Sequence, residues 1–335
     1  MTALVERVRD RLAARRRVAA LVAELGGHLG PAAREPSNLA ERACPVCGDG
    51  AAVEPRPRLV GPVYAFHRCR GCTVLFARRV LRHDVLRRLY SERPIYRRYW
   101  EEQRVDAEAH RGRDVYRELV DHLARLAPAR RTILDVGCGF GKLTQELGRR
   151  FDEAIGLELN RRTVQHGRAL FGVDLRTERL ERLDRPDGSV DAIVLNQVLE
   201  HLYDVRPLLA AAHRLLRPGG LLWIGVPHGR SLGIRLLGGA HPTVATHVHV
   251  NLFTAPALAR LAREAGFSVG ECATTDGVDV SAADLVLERL PSGPAGLLFA
   301  PASALDKGVH RVLAAASLPS LFGVGSHLEA SLVRA

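Results

Sequence analysis

The chain has 335 residues, 47% of them hydrophobic and 25% charged, the composition of a soluble globular protein with room for one full core and a smaller module. Its net charge of +11 rests on arginines scattered along the chain, with Lys142 and Lys307 the only lysines; this reads as coding bias, so a nucleic-acid partner is not expected, although a basic surface suits acidic or phosphorylated substrates. No apolar run reaches the ~18 residues of a membrane span, and Arg7, Arg9, Arg11 and Arg15 to Arg17 interrupt any secretory core, so no membrane partner and a cytoplasmic location are expected.

Residues 3 to 25 place Val5, Val8, Leu12, Val18, Leu21 and Leu25 at near-helical spacing among arginines, and Gly26-Gly27 reads as the stop. An amphipathic helix packed on its own protein or on a dimer mate is expected, hence a monomer or homodimer; a helix lying on a membrane surface is the other reading. With Pro31 and Pro36 in a linker, residues 1–42 form an N-terminal helix and linker. Next come Cys44-x-x-Cys47 and Cys69-x-x-Cys72, each beside a glycine (Gly48, Gly71). Two such knuckles can present four thiolates tetrahedrally to Zn²⁺, at close to the spacing of a zinc ribbon. Because four thiolates leave no open coordination position, the expected zinc is structural, in a module of residues 43–79. His67 is a spare ligand candidate. Six cysteines in a reducing compartment do not suggest a disulfide framework, and a redox role lacks a thioredoxin-like context. Residues 80–127 read as helices broken at Pro94 and carry Tyr90, Tyr96, Tyr99, Trp100 and Tyr116. Such a segment either closes over a site as a lid or simply packs its helices together.

The run Arg131 to Gly141, R-T-I-L-D-V-G-C-G-F-G, reads as a strand, a tight glycine turn and a helix begun by Leu143 and Leu147. Glycines permit positive φ and let a ligand reach bare backbone. A dinucleotide fingerprint wants G-x-G-x-x-G, whereas here position 142 is lysine and the glycines alternate. Asp135 at the strand end would repel a phosphate but suits a ligand carrying an ammonium and a sulfonium. Glu153 to Leu159 gives a second strand ending near Glu158, an acid placed to accept both ribose hydroxyls. Val173 to Thr177 is a third strand, and E-R-L-E-R-L-D follows it. Pro186 to Asn196 gives a turn and a fourth strand, then Q-V-L-E-H-L, a helix over Val205 to Leu216, the turn R-P-G-G at 217–220 and a fifth strand over Leu221 to Val226. H-V-N-L-F-T at 249–254, a helix to Ala265, Gly266-Phe267 and a closing strand at 325–333 complete the pattern. Residues 276–322 are an apolar insertion with no readable role.

These stretches resemble the motifs of class I S-adenosylmethionine (SAM) dependent methyltransferases: D-x-G-x-G-x-G over Asp135 to Gly141, the acid at Glu158, then P-D-G-S-F-D, V-L-E-H and L-K-P-G-G-x-L in order. The four-cysteine and aromatic segments are similar to N-terminal regions of bacterial methyltransferases acting on sugars and secondary metabolites. The resemblance implies an α/β fold, a Rossmann-like seven-stranded mostly parallel sheet with helices on both faces over residues 128–335, joined to the zinc-ribbon module by a helical connector or lid at 80–127. It places SAM at the carboxyl ends of the first strands, on Asp135, Gly137, Gly139, Gly141, Glu158, Glu178 or a neighbour at the adenine, and Asn196. The implied activity is methyl transfer to a small-molecule acceptor, expected at an oxygen of a sugar or secondary metabolite with His249 or His201 as base and His228 as a further candidate. Relatives that methylate sugar carbon usually carry a further C-terminal domain, for which this chain has no room. Carbon or nitrogen transfer, a non-catalytic zinc-ribbon binding protein and an NAD-dependent reductase are the alternatives. Some relatives hold a divalent metal through E-x-x-E-H and a later histidine; with Gln197 in the first position, Glu200, His201 and His249 would form only a weak site.

Overall fold

The computed structural model describes residues 20–21, 24–50, 53–92, 94–275 and 326–335. Of the expected helix over residues 3–25, residues 3–19 and 22–23 lie outside the described residues, as do the insertion at 276–322 and the side chain of Tyr90. Helix α1 (24–34) runs through Gly26-Gly27 and takes up much of the expected linker. Gly26 serves close approach instead of a stop, as does Gly30: a Cβ on Gly26 would stand 2.7 Å from Pro62 Cγ, and one on Gly30 3.1 Å from the Pro62 carbonyl oxygen. Leu25 and Leu29, four residues apart on one face, are buried, and burying each stabilises by about 1.5–3 kcal/mol against the ~1 kcal/mol that a helical glycine costs.

Strand β1 (Leu39–Glu41) pairs antiparallel with β5 (Arg79–Leu81), and between them β2 (Val53–Val60), β3 (Ala65–Cys69) and β4 (Leu75–Ala77) form an antiparallel ladder. Helices α2 (His83–Glu92) and α3 (Pro94–Ala109) meet at Pro94, and α4 (Arg117–Leu126) follows. The chain then alternates: β6 (Thr132–Val136), α5 (Lys142–Leu147), β7 (Glu153–Leu157), α6 (Arg161–Phe171), β8 (Asp174–Arg176), β9 (Val190–Asn196), α7 (Arg206–Leu215) and β10 (Leu216–Pro227). Helices α8 (Leu232–Leu237) and α9 (Pro242–Ala245), strand β11 (Asn251–Leu252), helix α10 (Ala255–Glu264) and strands β12 (Phe267–Thr275) and β13 (His327–Arg334) complete it.

The main sheet has seven strands in the order β12-β13-β10-β9-β6-β7-β8. From β10 to β8 every pairing is parallel, and β13 alone runs antiparallel, between β10 and β12. Alternate residues face opposite sides. Leu134, Ile193, Leu195, Leu222 and Ile224 pack with α7 and α10, whereas Ile133, Ala192, Val194, Leu221 and Trp223 pack with α4 and α5. Burial on both faces is why these strands read as continuous apolar runs. The expected turn at 217–220 is a bulge within β10, where pairing with β9 skips from Leu216 to Leu221 and Gly219 takes φ 74°. Pro218 bars continuation of α7 without ending the strand.

Strand β11 joins a second sheet, ordered β11-β4-β3-β2. Cys44, Val46, Cys69, Cys72, Val74 and Phe76 share a buried cluster with residues of α7 and α10, so one core and one sheet extend across the expected limits at residues 79 and 128. Among the described residues no helix is long and apolar enough to cross a membrane.

Candidate functional site

The glycine turn sits where β6 leaves the sheet beside β7. Gly137, Gly139 and Gly141 take φ 73°, 54° and 87°, conformations that side chains with a Cβ rarely adopt. The backbone N–H groups of Gly137 and Cys138 donate to the Leu157 carbonyl at 2.8 and 3.2 Å, fixing the turn to the end of β7. The three glycines divide the work. A Cβ on Gly137 would meet Val198 Cγ2 at 2.8 Å and one on Gly141 would meet Leu175 Cδ2 at 2.7 Å, whereas Gly139 has nothing within 4 Å. Two of them admit the protein's own side chains, and the middle one leaves bare backbone facing open space.

Asp135 is 2% exposed and accepts a 2.7 Å hydrogen bond from Thr144 Oγ1. Burial raises its carboxyl to about 6, the Thr144 bonds lower it, and the charge of Glu158 raises it again. A cation between these two acids would relieve their repulsion. Glu158 stands one residue past β7 and accepts the Asn160 N–H at 2.8 Å, at the start of α6. Leu159 beside it is 56% exposed, an apolar face on the same edge that the sequence reading passed over because a lone leucine after a strand carries no signal. Glu178 lies two residues past β8 and Asn196 ends β9, so the predicted cofactor residues all fall on the carboxyl edge of the sheet.

Lys142, which breaks the dinucleotide pattern, is committed internally. Its ammonium lies 3.3 Å from Glu146 and donates to Gln145 Oε1 at 3.0 Å. Glu146, 2% exposed, also accepts the N–H groups of Val115 and Tyr116 at 3.0 and 2.9 Å. Tyr116 therefore begins α4 and belongs to the packing reading of the aromatic segment, as does Tyr99, which packs on Leu21 and Leu25. Trp100 reaches the turn: its indole N–H donates to Thr163 Oγ1 at 3.0 Å, its ring lies 5.8 Å from Phe140, and the Arg162 guanidinium stands 3.7 Å over it. The ring of Tyr96 meets His247 edge-on at 6.2 Å.

A second cluster of polar side chains is built after β9. Gln197 takes φ 58°, uncommon for a residue with a side chain, and its N–H donates to Gly225 at 2.8 Å; strain of this kind clusters at functional sites. The following turn buries Glu200 completely, and neither of its carboxylate oxygens has a hydrogen-bond partner among the described residues. Burial pushes that carboxyl up to about 8. His201 Nδ1–H donates to the Val248 carbonyl at 3.1 Å and His249 Nδ1–H to the Thr243 carbonyl at 3.0 Å. Each tautomer so fixed leaves Nε2 with a lone pair. The two rings lie 5.0 Å apart, and ligand atoms of Glu200, His201 and His249 lie within 4.8 Å of one another. Burial, reinforced by neighbouring His201, lowers His249 to about 3 and His247 to about 4; burial lowers His201 too. All three imidazoles are neutral at pH 7, and His201, on the exposed side, is the better proton acceptor. His228 is buried just after β10, where it bridges to Phe253.

The four knuckle cysteines converge, with sulfur atoms within 4.8 Å of one another and Cys44–Cys72 and Cys47–Cys69 pairs at 3.4 and 3.5 Å. The hydrogen bond from Cys72 pulls Cys44 down to about 5, and burial pushes Cys47 up to about 11. Thiolates this close repel one another unless a cation lies between them. His67 is not in the cluster. Arg42, which the sequence reading did not single out, stands two residues before Cys44; burial lowers its guanidinium to about 10, so it stays charged at pH 7.

Residues 108–271, from the end of α3 through the start of β12, match the family model described as a methyltransferase domain. A probable S-adenosylmethionine-dependent methyltransferase of Mycolicibacterium smegmatis is 35% identical over 145 residues, 42% of this chain and 53% of that protein. The mitochondrial ubiquinone biosynthesis O-methyltransferase of Bos taurus is 32% identical over 145 residues, 38% of this chain and 39% of that protein. The crystal structure of a SAM-dependent methyltransferase from Archaeoglobus fulgidus aligns with 65% of this chain and 94% of its own at 16% identity and a TM-score of 0.44. The matched segment is similar to SAM-dependent methyltransferase domains, and the chain spans about half the length, or less, of the curated relatives named here.

Proposed function

We propose that this protein transfers a methyl group from SAM to an oxygen of a small sugar or secondary metabolite. The observation that carries the reading is the open backbone at Gly139 between Asp135 and Glu158, a cradle of bare amide flanked by two acids. When bound, SAM supplies a sulfonium-activated methyl group, so the protein has only to position an acceptor in line with it and remove a proton. Glu158 would accept the ribose hydroxyls, Leu159 would lie against the adenine ring, Glu178 would accept its amino group, Asn196 would close the edge, and Asp135 would offset the ammonium through the turn of Gly137, Gly139 and Gly141. His201 takes the acceptor proton at Nε2 while its Nδ1–H stays on the Val248 carbonyl; His249 supports it. An oxygen acceptor is favoured by the name of the Bos taurus relative, an O-methyltransferase. The four cysteines would hold one structural zinc, and cysteines left out of disulfides suit a reducing, cytoplasmic setting.

A buried carboxylate without a hydrogen-bond partner among the described residues favours a second reading of the acceptor side. Glu200, His201 and His249 offer one carboxylate oxygen and two imidazole nitrogens, a set that suits a transition metal better than magnesium. When bound, such a cation would acidify the acceptor hydroxyl.

Calorimetric titration with SAM and, separately, NADH tests the assignment. The parent should bind SAM and not NADH, and Glu158→Ala should weaken SAM roughly tenfold to a hundredfold, the loss of about 1.5–3 kcal/mol for a charged hydrogen bond. Unaltered SAM binding by Glu158→Ala would sink it. With a turnover assay, methylation found at carbon or nitrogen would replace the oxygen reading.

A further inference from the structure

Arg42 lies at the end of β1, outside the expected methyltransferase domain, yet each of its five N–H donors meets an acceptor. Nε donates to the Ala77 carbonyl at 2.8 Å, Nη1 to the Tyr203 and Leu202 carbonyls at 2.9 and 3.4 Å, and Nη2 to the Val250 carbonyl and Asn251 Oδ1, both at 2.6 Å. Its own backbone N–H donates to Arg78 at 2.9 Å, fixing it to the cysteine module, and its guanidinium stands 5.5 Å from the Phe76 ring and 5.9 Å from that of Tyr203. Asn251 passes the connection on, donating from Nδ2 to the Leu199 and Leu202 carbonyls at 2.8 Å each. The Val250 N–H donates to the Glu200 carbonyl at 2.8 Å. These bonds bracket Glu200–His201 on one side and His249 on the other.

We propose that Arg42 is a positioning residue: through Asn251 it locks the Leu199–Tyr203 turn to the Val248–Asn251 segment, so that the cysteine module holds His201 and His249 in register. The proposal rests on the methyltransferase reading only in giving those histidines a role in the reaction. A planar fork with five donors spans carbonyls on three separate segments, which a lysine, with three donors on one nitrogen, does not. The knuckles are fastened nearby as well: Arg206 donates to the Val46 carbonyl at 3.2 Å, and Arg260 to that of Gly71 at 3.2 Å. The module thus meets α7 and α10 along its length, and Arg42 is the strut that reaches the acceptor side.

The test is the rate at which diethylpyrocarbonate modifies each histidine in the full-length protein, resolved by peptide mass spectrometry, with His122 and His166 as internal references. Arg42→Met should raise modification at His249 at least about tenfold, as the loss of several hydrogen bonds to one charged group opens the segment. His122 and His166 should keep the parental rate, and SAM affinity by calorimetry should stay parental. Arg42→Lys should fail to restore protection. Asn251→Ala, which keeps the guanidinium but cuts its link to the turn, should release the same histidine and serves if Arg42→Met does not fold. Unchanged modification in the two variants, equal acceleration at every histidine, or full protection in Arg42→Lys would each overturn the proposal. A parent that does not bind SAM would defeat the functional reading while leaving the lock to be judged on modification alone.

Discussion

Glu200→Gln should stabilise the protein, and by an amount that depends on pH. The carboxyl is fully buried without a hydrogen-bond partner among the described residues, and burial raises it from 4.5 to about 8. A group raised on folding contributes stability that is complete below its unfolded pKa and is lost as pH climbs through the folded value. In the parent the loss therefore begins near pH 4.5, reaches about 3 kcal/mol at pH 7 and levels off near about 5 kcal/mol above pH 8, at 1.36 kcal/mol per unit. Glutamine has the shape of the protonated acid and cannot ionise. The variant should match the parent at pH 4, exceed it by about 3 kcal/mol at pH 7 and exceed it further at pH 9. Urea unfolding of the protein as purified, its cysteine site left loaded and no metal added, at these three values reads the difference through the transition midpoints. A gap that does not widen with pH would refute the burial argument. Added Mn²⁺ that stabilises the parent and not Glu200→Gln would favour the metal reading of the site.

Further outcomes follow from other contacts. Elemental analysis should find one zinc per chain, and Cys69→Ser should release it; because β11 pairs with β4, hydrogen exchange should rise at residues 249–253 as well as in the knuckles, whereas the glycine turn keeps its protection. Lys142→Met leaves the buried Glu146 without its ion pair and should lower stability by about 3 kcal/mol in urea unfolding, a loss of under about 1 kcal/mol showing that the two backbone N–H bonds suffice. With an acceptor in hand, His201→Ala should reduce turnover by on the order of a hundredfold or more, and His249→Ala by less, while SAM affinity stays parental. Equal and full turnover in both would remove the histidines from the chemistry.

The order of strands and helices from β6 to β10 was readable because each step there is local. A continuous apolar run bounded by glycine or proline declares a doubly buried strand, and Asp135, Glu158 and Asn196 fall on one edge because every βα unit turns the same way. The converging cysteines were readable for a similar reason, since the spacing within each pair is a local turn. Where glycine served packing the local signal misled: Gly26-Gly27 looks like a helix end, yet the meaning of Gly26 lies in Pro62, a residue that no local window includes. Arg217 to Gly220 looks like a turn, but the neighbouring β9 draws it into the sheet as a bulge.

The acceptor side shows what remains hidden and why. His201 and His249 lie 48 positions apart in the chain, and no periodicity relates them; they meet because β11 leaves the methyltransferase sheet to pair with β4. That exchange makes the cysteine module a wall of the site as well as an appendage to it. A two-residue strand of Asn251 and Leu252 carries too little pattern to be recognised, and its register is set by partners nearly two hundred residues earlier, Phe76 and Leu75. The same holds for Arg42, one arginine among many, whose significance depends on carbonyls that only the folded chain brings to it. On the proposed reading, cofactor binding rests on local backbone shape, which is visible in sequence. The handling of the acceptor would then rest on side chains gathered from distant segments, so a substitution in the module far from Asp135 should alter the second function before the first.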